Sequence, residues 1–114
     1  MKNASVQVKQ YREADGHFYY KIVDSAGMTL FLSPAFLSGQ EAAQHKHEFG
    51  LLENSELETL SEQSTAVRVK DGFRFEVRRA SGELLGSGPI VATPEESVKL
   101  RQLFLRSFFE MKSF

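Results

Sequence analysis

The sequence predicts an α+β fold made of two tandem β-β-β-α repeats, an antiparallel sheet with its helices packed on one face. Three observations predict it. "GHFYYKIVDSAGMTLFLSP" (residues 16–34) alternates apolar and polar residues around a glycine, and "GFRFEVRRASGELLGSGP" (residues 72–89) does the same. A shift of 55 residues superposes Phe18–Phe49 on Phe73–Phe104 without a gap, setting apolar on apolar and turn on turn. Each stretch ends in a proline and then a helix-capping sequence.

The first strand of each copy is carried by the period-two valines of "SVQVKQY" and "TAVRVK". Asp71-Gly72 suits a tight primed turn, and "EADGH" is a looser turn with one extra residue. Second strands follow at about His17–Asp24 and Phe73–Arg79, with Phe18, Tyr20 and Ile22, and Phe73, Phe75 and Val77, facing inward. Tyr19, Lys21, Arg74, Glu76 and Arg78 then lie on a wet outer face. Turns at Ala26-Gly27 and Ser81-Gly82 lead to third strands at Met28–Ser33 and Glu83–Ser87. Pro34 and Pro89 end the sheet because proline donates nothing to a ladder. Capping boxes at Ser38–Glu41 and Thr93–Glu96 open the helices, with Pro94 at a position that needs no N–H.

The expected layout is therefore one domain over 1–114: repeat one at about 5–52, a linker at about 53–64 and repeat two at about 65–114. The linker "LLENSELETLSEQS" reads as a frayed helical extension followed by loop. Either repeat alone has one apolar sheet face and one helix, too little core at this size. Together the two can share one.

With 41% hydrophobic and 25% charged residues the chain has the make-up of a globular protein. A net charge of −1 gives no overall pull on nucleic acid or anionic lipid, so such binding would need a local patch. No cysteine is present, which excludes disulfides and thiolate chemistry and fits a reducing compartment. The sequence "MKNASVQVKQYREADG" has no apolar signal core, and no run approaches about 18 apolar residues. A cytoplasmic protein with no membrane partner is expected.

The repeated pattern, with its small-Gly turn, its apolar strand and the Ser33, Phe36 and Ser38 spacing, resembles the YegP-like family of small bacterial proteins. That family carries one or two such units. The chain departs from it at Ala26-Gly27 and Ser81-Gly82, where the family has Asn-Gly, and at Val91, where an aromatic is the rule. The resemblance implies an α+β fold with helices on one sheet face, and a dimeric or strand-swapped assembly. It implies no biochemical role, because the family has none agreed.

Four stretches could carry function. In "EAAQHKHEFG", Glu41, His45 and Glu48 share one helix face at metal-ligand spacing. His45, however, occupies the register of the core residue Leu100, so a hydrogen-bonded structural histidine is expected, with no metal or other cofactor. Lys9, Lys21, Arg68, Arg74 and Arg78, with Tyr19 and Phe31, set basic and aromatic groups on the outer face, a pattern that can clamp single-stranded nucleic acid. This is the less favoured alternative. On the last helix Leu100, Leu103, Phe104, Phe108 and Met111 form a core stripe, and Val98, Leu105 and Phe109 form a second. A surplus apolar stripe points to a partner protein or a second copy of the chain, most simply a homodimer. The fourth, "GELLGSG", lacks the Lys-Ser/Thr of a phosphate loop, and no serine has an evident His/Asp pair. The expected function is a non-catalytic interaction or self-associating module, not an enzyme.

Overall fold

The computed structural model describes residues 6–111. In chain order the elements are β1 (Val6–Arg12), β2 (Phe18–Asp24), β3 (Thr29–Leu32), α1 (Gly39–Gly50), α2 (Asn54–Ser61), β4 (Val67–Val69), β5 (Gly72–Arg74), β6 (Glu76–Arg78), β7 (Leu84–Ser87) and α3 (Pro94–Met111). This is an α+β fold. A five-stranded antiparallel sheet has the order β1-β2-β3-β7-β6, and β4 and β5 form a separate two-stranded sheet.

Local chemistry sets each element. Ser38 Oγ accepts from Glu41 N at 3.1 Å, and Thr93 Oγ1 accepts from Glu96 N at 3.2 Å. Glu96 closes its box by accepting from Thr93 N; Glu41 reaches one residue further back, to Leu37 N. Gly27 and Gly82 take the positive φ values of 85° and 97° that their turns require.

The same backbone hydrogen bonds recur 55 residues apart. Phe18 and Phe36 exchange two, as do Phe73 and Val91. Asp24 N donates to Met28 O, and Arg79 N to Glu83 O. Ser33 N donates to Tyr20 O, and Gly88 N to Phe75 O. The two segments meet where Leu32 pairs with Ser87, positions that correspond under the same shift. They differ in strand continuity: β2 is unbroken, whereas its counterpart bends at Phe75 into β5 and β6, so the β4–β5 hairpin leaves the main sheet.

Two expectations need correction. The register slips between Ile22 and Val23, leaving Leu30 as an extra residue on β3. That bulge turns Phe31 inward instead of onto the outer face; it is fully buried, its ring 4.7 Å from Phe49 and 4.9 Å from Phe104. The same slip recurs between Val77 and Arg78. The linker, in turn, is not frayed. It forms α2, capped by the reciprocal Glu53–Glu56 box, with Leu57 fully buried in the core.

The core lies between the sheet and the helices. Tyr20, Ile22, Phe75 and Val77 come from the strands, Phe49 from α1, Leu57 from α2, and Phe104 and Phe108 from α3. Phe18 and Phe73 are half-buried.

Candidate functional site

Because Ile22, Phe31 and Gly86 face the core, the residues between them line the opposite face. Cross-strand pairing sets Lys9, Lys21, Leu32, Ser87 and Glu76 in one row across all five strands. Tyr11 pairs with Tyr19 one step along, their rings stacked at 5.6 Å and 18°. Lys21 Nζ lies 5.1 Å from the Tyr11 ring centre, within cation–π range.

A groove of about 520 Å³ opens on this face, lined by Tyr11, Asp15 and Tyr19 on one side, Arg74 on the other, and Leu32, Ser33 and Ser87 beneath. Its volume is in the range of ligand sites. Tyr19 and Arg74 correspond under the 55-residue shift, so the groove straddles the junction of the two segments.

Both walls are held in place. Asp15 accepts from Tyr19 Oη at 2.9 Å and from His17 N at 2.8 Å. The His17 N–H holds the Asp15 carboxyl below its usual range, and that carboxylate in turn pushes the Tyr19 phenol up. Burial, then Glu13, raises Tyr11. Opposite, Arg74 Nε donates to Glu76 Oε2 at 3.1 Å and Arg78 Nε to Glu76 Oε1 at 2.8 Å. Glu76, expected in water, is only 3% exposed because these two guanidinium groups close over it. Arg78 is further tied to Gly82 O.

Of the residues singled out in the sequence, Tyr19, Lys21, Arg74 and Arg78 share this face. Arg68 does not line the groove; it lies on β4, its guanidinium over Phe73 at 5.6 Å, as Arg12 lies over Phe18 at 5.4 Å. Tyr11, Asp15 and Ser87 were missed. The stacking of Tyr11 on Tyr19 could have been read from the hairpin register, but nothing local marks Ser87.

His45 is half-buried, and its Nδ1 lies 2.8 Å from Tyr20 Oη. Burial lowers the His45 pKa from 6.5 and raises that of Tyr20, so a neutral ring and a neutral phenol share this hydrogen bond. Glu41 and Glu48 are bonded to Leu37 N and Gln44, and no cluster of three or more metal-ligating side chains occurs among the described residues. On α3, Phe104 and Phe108 are buried and Leu100 and Leu103 pack on the core; the Met111 side chain lies outside the described residues. Leu105 also packs on the core, beside Asn54 and Glu58 of α2, and Val98 is half-buried. Phe109 is 56% exposed. No described helix is long and apolar enough to cross a membrane.

The fold is that of small bacterial proteins of the YegP type, whose function is unknown. The UPF0339 protein SO3888 from Shewanella oneidensis superposes with a TM-score of 0.69 at 12% identity, over 92% of this chain and 86% of that one. The protein of unknown function yegP from E. coli gives 0.62 at 16% identity, over 100% of this chain and 91% of that one. At these identities the likeness is one of fold. No family model matches the chain. Part of it is similar to tryptophan–tRNA ligases: 50% identical over 44 residues to that of Xanthomonas campestris, and 49% over 37 residues to that of Xylella fastidiosa. Those matches take in 39% and 32% of this chain and only 10% and 8% of the enzymes. The chain thus spans about a tenth of the length of the curated relatives it matches.

Proposed function

We propose that this domain binds single-stranded nucleic acid across the outer face of its five-stranded sheet. The stacked Tyr11–Tyr19 pair, flanked by Lys21 and facing Arg74 across an open groove, carries this reading. Aromatic faces accept bases of any sequence, and cations beside them take the phosphates. The partial likeness to enzymes named for a tRNA agrees with such a role, while their catalytic activity does not transfer with so short a match. The test is fluorescence anisotropy with a labelled single-stranded oligonucleotide. Affinity should fall as salt rises, and Lys21→Ala and Arg74→Ala should each weaken binding and flatten the salt dependence by about 0.7 log units per log unit of salt. No binding of any oligonucleotide at low salt would end this reading.

A second reading rests on Phe109. Its exposed ring beside the half-buried Leu105 supports contact of α3 with a partner protein or a second copy of the chain. Val98 and Leu105 are partly covered within the fold, so this stripe is narrower than the sequence suggests. Light scattering should show a dimer or larger assembly that Phe109→Glu dissociates without unfolding. A wild-type monomer at high concentration would rule out self-association.

A further inference from the structure

The floor of the outer-face groove carries a hydroxyl that the fold itself leaves unused. Ser87 is 5% exposed, lines the groove floor, and its hydroxyl makes no hydrogen bond among the described residues. The residue is buried as a whole, and the groove is the open side it has. The other serine of the floor is different: Ser33 Oγ accepts from Tyr20 N and donates to Pro34 O. Ser87 is therefore the floor hydroxyl left to the groove, which Arg74 also lines.

The Arg74 guanidinium is already oriented. Glu76 takes its Nε at 3.1 Å and its Nη2 at 3.0 Å through a single carboxylate oxygen, leaving the rest of the fork to face elsewhere. A cation pre-ordered in this way loses little freedom on binding an anion. The far wall has the opposite character. Asp15 and Glu13 line it and repel a phosphate, while the Tyr19 ring, fixed by Asp15, offers a flat apolar surface. The groove is thus polar in a fixed sense, with an anion end at Arg74 and Ser87 and an aromatic end at Tyr19.

We infer that this groove holds one nucleotide unit, with its phosphate on Arg74 and Ser87 and its base on Tyr19. This rests on the nucleic-acid reading and deepens it, fixing one unit of the strand and the direction in which that unit lies. A free mononucleotide and a unit within a strand present the same chemistry, and the experiment separates them.

Amide shift mapping by NMR, with 5′-AMP, adenosine, inorganic phosphate and a short oligoadenylate as separate probes, tests the inference. With 5′-AMP and with the oligonucleotide, shifts should concentrate at Tyr19, Leu32, Arg74 and Ser87; adenosine and phosphate alone should bind more weakly. Ser87→Ala should weaken 5′-AMP binding about threefold to tenfold, the worth of one hydrogen bond, with no loss of folding. Arg74→Met should weaken it about tenfold or more, since its bond is charge-assisted. Oligonucleotide binding with shifts elsewhere on the sheet, unaffected by Ser87→Ala, overturns the inference and leaves the broader reading standing. Binding of 5′-AMP in the groove with none of the oligonucleotide supports the site and overturns the single-strand reading. Failure of both probes overturns both.

Discussion

The ring of Phe31 lies where a side chain at Gly86 would be. The two residues correspond under the 55-residue shift and face one another at the junction of β3 and β7. A Cβ on Gly86 would overlap that ring and come within 2.7 Å of Leu32 O, and its φ of +158° is one that L residues rarely adopt. One large and one absent side chain thus fill the shared centre of the core.

Gly86→Ala should accordingly lower unfolding free energy by roughly 2–4 kcal/mol, from overpacking and backbone strain. In a Phe31→Ala background the penalty should drop to roughly half, because the methyl then enters vacated space. Urea titrations of the four proteins measure this coupling. Equal penalties in the two backgrounds would show that the Phe31 ring is not what excludes a side chain at position 86.

Leu57 tests whether the segment between β3–α1 and β4 belongs to the fold. It is fully buried, and Arg101 of α3 donates to Ser61 Oγ and Glu58 O across the α2–α3 contact. Leu57→Ala should cost about 2–5 kcal/mol. A change below about 0.5 kcal/mol, the range of ordinary surface substitutions, would return α2 to the status of a tether.

Acid should weaken the protein through His45. Burial holds its pKa below 6.5 in the folded chain, against the opposing pull of Glu83 and Glu48 and with that of Arg79. The unfolded chain then binds more protons, so stability rises with pH between the folded and the unfolded values and is flat above about 6.5. Below that window the ring is charged and Nδ1 can only donate to Tyr20 Oη. Denaturation at pH 7.5 and pH 5.0 should show a loss in the wild type that shrinks in a His45→Leu, Tyr20→Phe protein. An NMR titration placing His45 above its ordinary value would refute this.

Glu76 joins the fold to the groove. Its carboxylate is buried and bridges two arginines whose side chains are 28% and 42% exposed. Because those cations can turn to water, Glu76→Ala should cost roughly 1–3 kcal/mol, less than breaking a fully buried pair. Thermal melts should show Glu76→Gln recovering part of the loss, since its amide oxygen still accepts one bond. Unchanged stability in both variants would mean that the clamp does not hold Arg74.

Much of the fold was legible in the sequence because its causes are local. Turn glycines, capping residues and two-residue alternation act over a few positions, and so the inward faces of Tyr20, Ile22, Phe75 and Val77 could be named directly. His45 as a bonded interior residue followed from its register with Leu100, without any view of its partner Tyr20.

What the tertiary structure alone decided depends on pairing between distant strands. The bulge at Leu30 reverses the face of Phe31, since one extra residue inverts a two-residue period. Glu76 is buried only because Arg74 and Arg78 close on it from the same bent strand. The groove draws Tyr11 from β1, Tyr19 from β2, Leu32 from β3, Arg74 from β5 and Ser87 from β7. Periodicity assigns each of these a face but not a neighbour; their meeting follows from strand order and register, which only the folded chain fixes.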